Sequence, residues 1–144
     1  MSVGAICSRE VDLIEATETA TDAARRMQAR GVGTLIVVDE DGRPIGLVTD
    51  RDLALRVLAA GKGPTTAVRD IMTVSPEVVS ESTPIEAALS LMRSARCRRL
   101  PVTDADDKLV GIVALDDILA LLAEELEIVG GLLQREAPHG REER

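Results

Sequence analysis

The sequence contains no phenylalanine, tyrosine or tryptophan, only two cysteines and a single histidine, and each scarcity removes a class of function. Without aromatic rings there is no platform on which single-stranded bases stack, and a formal net charge of −8 opposes a general phosphate-backbone footprint, so no nucleic-acid partner is expected. Cys7 and Cys97 are too few for a disulfide framework or a cysteine-built zinc site, and His139 lies in a polar tail, so no metal is expected either. No apolar run approaches the roughly 20 residues a membrane helix needs. The opening MSVGAICSRE lacks the charged and apolar regions of a secretory signal. A protein without a membrane partner, working in the cytoplasm, is the expectation. No nucleophile is paired with a base and no Walker-type phosphate loop occurs, which argues against an enzyme with a resident cofactor.

What is present is organised as two copies of one pattern, offset by 65 positions. Ala20, Ala23, Ala24 and Met27 follow the spacing of an amphipathic helix, and Ile85, Ala88, Leu89 and Met92 repeat it. After each stripe comes a strand, an acidic turn and a second strand: "TLIVVDEDGRPIGLV" in the first copy, "RLPVTDADDKLVGIV" in the second. A second helix follows, from about Asp50 to Ala60 in the first copy and from about Asp116 onward in the second, and Gly61 to Pro64 opens the linker between copies. Short β-like runs, Val11 to Ile14 and Glu77 to Val79, lead in. A unit of about 60 residues exposes too much apolar surface by itself, so the copies are expected to pack about a pseudo-twofold axis with two related clefts. The expected fold class is α/β (α+β), two β-α-β-β-α repeats at 3–63 and 68–123, with a helical extension and polar tail at 124–144.

"VRDIMT", "PIEAALSLM", "RRLPVTD" and "GLVTDRDL", taken in order, resemble the tandem CBS-domain or Bateman module, over residues of about 3 to 123. The resemblance implies a stand-alone regulatory module that binds an adenine nucleotide or related adenosyl compound as a regulatory ligand. It also implies signalling to an unidentified partner protein and assembly as a homodimer.

In "GLVTDRD", Thr49 and Asp52 have the spacing of a capping box, in which each side chain satisfies an unpaired backbone N–H at a helix start. The resemblance adds a second role, with Asp52 accepting from both ribose hydroxyls and Thr49 bonding sugar or phosphate. The second copy carries Ala114 and Asp117 instead, losing one hydroxyl and about 1 kcal/mol. Four arginines crowd into "RSARCRR". Arg93 and Arg96 are read as cations at a helix C-terminus. Arg98 and Arg99 are either solvated at a strand edge or, by resemblance, phosphate contacts at a cleft mouth. The first implied cleft comprises Thr49, Asp52, Thr73, Cys97 and Arg98; the second comprises Ser8, Val32, Gly33, Arg99, Ala114 and Asp117. Cys97 reads as a small buried hydrophobe. Beyond the repeats, Ile118, Leu122, Leu126, Val129 and Leu133 continue an apolar stripe that either folds back on the core or packs on a second chain. The alternative function is a structural or partner-docking dimerisation module whose clefts stay empty.

Overall fold

The computed structural model describes residues 1–74 and 76–136. The first repeat consists of β1 (Leu13–Glu15), α1 (Ala20–Arg30), β2 (Thr34–Val38), β3 (Pro44–Thr49) and a helix, α2, which is α-helical over Asp50–Asp52 and π-helical over Leu53–Leu58. After a 3₁₀ turn at Val68–Asp70 comes β4 (Thr73–Val74), followed by β5 (Val79–Ser80), α3 (Ile85–Ala95), β6 (Arg99–Thr103), β7 (Leu109–Ala114) and α4 (Leu115–Glu136). The expected runs at 11–14 and 77–79 are β1 and β5, each displaced toward the C-terminus. The tail expected at 137–144, with His139, lies outside the described residues.

Each sheet has its own core, completed by the other repeat's lead-in: Val68 and Ile71 join the first core and Val3 the second. Ala20, Ala23 and Met27 of α1 pack with Leu35, Val37 and Val48, and Ile85, Ala88 and Met92 of α3 pack with Leu100, Val102 and Val113. Ala24 was expected on the buried stripe and is exposed, because the short helix needs only three positions against its sheet. Strand alternation turns Ile36 and Pro101 to the opposite face, and both are buried there, so each sheet is covered on both sides.

The repeats exchange their lead-in segments. In the first sheet, ordered β1-β2-β3-β4, Thr73 pairs with Leu47; in the second, Ser8 forms a bridge to Ile112, the position equivalent to Leu47. The same symmetry appears where Val3 N–H donates to Thr83 O and Val68 N–H to Glu18 O, both at 2.8 Å. A side chain at Gly46 would meet Met72 Sδ at 2.5 Å, and one at Gly111 would meet Ser8 O at 2.6 Å, so the incoming segment leaves little room for a side chain at either position. The hairpin tips also touch, with Leu109 N–H donating to Gly42 O at 2.9 Å.

The second helices differ most. α2 ends by Leu58, whereas α4 runs 22 residues straight through Gly130 and Gly131. Only Ile118 of α4 is fully buried. Of the stripe expected from Ile118 to Leu133, Ile118 joins the second core, while Leu122, Leu126, Val129 and Leu133, with neighbouring Leu119, are 43 to 70% exposed and do not fold back on it.

Candidate functional site

At the end of β3 the chain turns into α2 through a complete capping box. Thr49 Oγ1 accepts from Asp52 N–H at 3.1 Å, and Asp52 Oδ2 accepts from Thr49 N–H at 2.9 Å. The other oxygen of Asp52, Oδ1, lies 3.7 Å from Arg56 Nε. At the start of α4 only half of this device exists: Ala114 N–H donates to Asp117 Oδ2 at 2.8 Å, with no hydroxyl to return the bond. The two helix starts are tied to the two strand entries in the same way, Asp50 N–H donating to Gly33 O at 3.0 Å and Leu115 N–H to Arg98 O at 2.8 Å. Each helix start is thereby held against the beginning of β2 or β6.

A cleft of about 830 Å³ opens between the repeats at these junctions. The first repeat supplies Val32, Gly33, Thr34, Thr49, Asp50 and Arg51; the second supplies Arg96, Arg98, Arg99 and Ile112. Glu10 and Asp12 close one side. That volume is within the range of small-molecule sites, about 300 to 1,000 Å³. A separate pocket at the start of α4, lined by Arg98, Arg99 and Ala114, measures only about 70 Å³, too small for a nucleoside.

The sequence-based division into two residue sets is therefore redrawn. Thr49 and Arg98 from the first set and Val32, Gly33 and Arg99 from the second line one cleft. Ala114 lines the small pocket. Asp52 and Asp117 are engaged in caps and do not line the cleft, because an acid three residues into a helix is turned back toward its first N–H. Thr73 and Ser8 lie on exchanged segments at the sheet edges, where Ser8 Oγ donates to Glu10 O at 3.3 Å. Cys97 packs against the second core, and burial pushes its thiol pKa up, away from reactivity.

Two cleft residues escaped sequence reasoning. Arg96 does not simply extend the C-terminus of α3; it is the residue that ends the helix, in the left-handed region at φ 53°, and it lines the cleft. Arg93 stays in the last turn of α3 as expected. The missed signal was the alignment of Arg96 with Gly31, which ends α1 at φ 65°. Arg51 stands inside the capping motif, whose spacing gives it no separate signal, and it lines the cleft. Among the described residues, Arg51, Arg96, Arg98 and Arg99 take part in no ion pair, while Arg9, Arg26, Arg30 and Arg56 each have a carboxylate partner.

The family model for the CBS domain matches twice, at residues 3–59 and 68–124. The chain belongs to the CBS-domain family. Its two matches form one tandem CBS pair. An uncharacterized protein of Methanopyrus kandleri is 40% identical over 120 residues, covering 83% of this chain, and the chain spans 61% of that relative's length. Among solved structures, the CBS pair is similar to CBSX2 in complex with AMP, at 30% identity and a TM-score of 0.73, covering 85% of this chain and 96% of the other. It is likewise similar to the CBS domain pair of MJ0100 in complex with 5′-methylthioadenosine and S-adenosyl-L-methionine, at 26% identity and a TM-score of 0.77, covering 87% and 98%. No helix among the described residues is long and apolar enough to cross a membrane.

Proposed function

We propose that this CBS pair is a regulatory sensor that binds an adenine nucleotide in the interrepeat cleft and signals its presence to a partner protein in the cytoplasm, without itself catalysing a reaction. The observation that carries the reading is the convergence of Arg98 and Arg99 from one repeat with Thr49 from the other on a single cleft of nucleotide size. Guanidinium forks fit phosphate oxygens, and cations in a cleft of an acidic protein draw an anion inward. Val32 offers a small apolar side chain for the base. For the ribose hydroxyls, Asp50 stands beside Thr49 on the cleft surface. A ligand gripped from both repeats stabilises one arrangement of the two, which is a signal a partner can read.

The sensor is proposed to work as a homodimer. Leu119, Leu122, Leu126, Val129 and Leu133 are spaced by three and four residues alternately, the spacing of a coiled-coil seam, on a helix that projects past its own core. A second copy of α4 covers that seam.

The test is thermal denaturation with AMP, ADP, ATP, adenosine and S-adenosylmethionine. An adenine nucleotide at 100 times its Kd adds about 2.7 kcal/mol, a rise of roughly 5 to 10 °C at this chain length. No shift with any adenosine compound at millimolar concentration leaves the docking module with empty clefts as the reading.

A further inference from the structure

We infer that Arg96 is a phosphate-binding residue, and that with Arg51 it makes the cleft selective for adenine nucleotides carrying two or more phosphates; this rests on the nucleotide reading above. Three observations lead to it. The first is backbone geometry. α1 and α3 end in the same way, with Gly31 N–H donating to Met27 O and Arg96 N–H to Met92 O, both residues left-handed. Glycine adopts that conformation freely, whereas an L-residue with a Cβ is strained there. A side chain at Gly31 would meet nothing within 4 Å, so the difference between the two ends is one of backbone strain and not of room. The second repeat ends its helix on a residue that is worse for the fold, and strain of this kind collects at binding sites.

The second observation is where the strained residue sits. Arg96 lines the cleft with Arg51, Arg98 and Arg99, so four arginines from both repeats border one cavity. Of the three carboxylates there, Asp12 is held by Arg30 at 2.7 Å, and Asp50 already accepts from the Arg51 backbone N–H at 2.8 Å. Glu10 makes no ion pair among the described residues.

The third is stoichiometry. One guanidinium has five N–H donors and binds two oxygens of a phosphate side by side. Arg98 and Arg99 already suffice for the three terminal oxygens of a monophosphate. Arg51, on α2, and Arg96, on the end of α3, are surplus to AMP and suited to further phosphates along a chain. The same field repels the sulfonium of S-adenosylmethionine.

Isothermal titration of the full chain and of Arg96→Gly with ATP, ADP, AMP and adenosine tests this. The unmodified protein should bind ATP or ADP at least tenfold more tightly than AMP. Arg96→Gly should melt about 2 to 4 °C higher without ligand, because the strain is relieved. It should also lose roughly tenfold in affinity for ATP and bind adenosine unchanged. AMP binding as tightly as ATP overturns the selectivity, and an ATP affinity untouched in Arg96→Gly removes Arg96 from the site. If the unmodified protein binds none of the four, the nucleotide reading itself falls, and a higher melting temperature of Arg96→Gly then shows only the strain.

Discussion

The two repeats are close copies in backbone and unequal in almost every device that ends a helix. The first starts α2 with a full capping box and ends α1 on glycine; the second starts α4 with half a box and ends α3 on a strained arginine. Beneath α1 the first repeat has a polar network, Glu18 with Arg26 at 2.7 Å and Asp22 in the Thr19 capping box, whereas the second has Thr83, Leu91, Ala87 and Pro84 at these places. The lesson is a division of labour. Capping boxes and ion pairs are concentrated in the first repeat, while the second carries the features that reach outward: three of the four cleft arginines that make no ion pair among the described residues, and the exposed seam of α4.

The largest effect should come from breaking that outward face. Leu126→Glu places a charge at the middle of the seam, where Leu126 is 70% exposed in a single chain. It should convert a dimer to a monomer by light scattering at micromolar concentration while leaving the circular dichroism of the repeats intact. A protein that is monomeric before the change refutes the seam.

Next come the two glycines under the exchanged segments. Gly111→Ala meets the backbone carbonyl of Ser8 at 2.6 Å, whereas the nearest obstacle at Gly46→Ala is the flexible end of Met72. Overpacking of this kind costs about 1 to 3 kcal/mol. Urea denaturation should place Gly111→Ala at the upper end and Gly46→Ala below it; the reverse order would mean that Ser8 moves aside more easily than Met72.

The caps offer a smaller, signed comparison. Thr49→Ala should destabilise by about 1 kcal/mol, and Ala114→Thr, by completing the box around Asp117, should stabilise by a similar amount. Equal signs in the two melting temperatures would show that the helix starts are not equivalent after all.

The smallest effect is acid sensitivity. The hydrogen bond from Arg26 holds the Glu18 carboxyl below its ordinary value of 4.5, and the Thr19 backbone and side chain do the same for Asp22. A depressed folded pKa contributes stability above the unfolded value and loses it as pH falls through the folded one. The melting temperature should therefore drop below about pH 4.5, and Glu18→Gln should flatten part of that drop at a cost of under about 1 kcal/mol at neutral pH, since the pair is partly exposed.

The repeat, its element order and the family were legible because they are written in spacing: apolar stripes 65 residues apart, matching hairpins, a matching TxxD or AxxD turn. The exchange of lead-in segments was not, since pairing between Thr73 and Leu47 depends on a partner sheet that no local pattern names. Gly46 and Gly111 were its only trace. At the site, Thr49, Arg98 and Arg99 were recoverable from type and position, but their convergence on one cleft with Val32 and Gly33 was not, because lining a cavity depends on how two repeats meet. Arg96 was hidden for a different reason. A cation near a helix end has an ordinary explanation, and only φ separates a residue that follows a helix from one that terminates it in the left-handed region.

The exchanged segments have a consequence for how the protein comes into being. The first sheet is closed by β4, at residues 73–74, and the second by Ser8, which the ribosome makes more than a hundred positions before its partner Ile112. During synthesis the first repeat stays open until the second has begun, and the segment around Ser8 must wait, unpaired, for almost the whole chain. Neither repeat completes its sheet from its own residues, and the bridge that closes the second sheet is among the longest-range contacts in the molecule. A nick in the linker at 61–64 should accordingly leave two fragments that are each unstructured alone and that fold only when mixed.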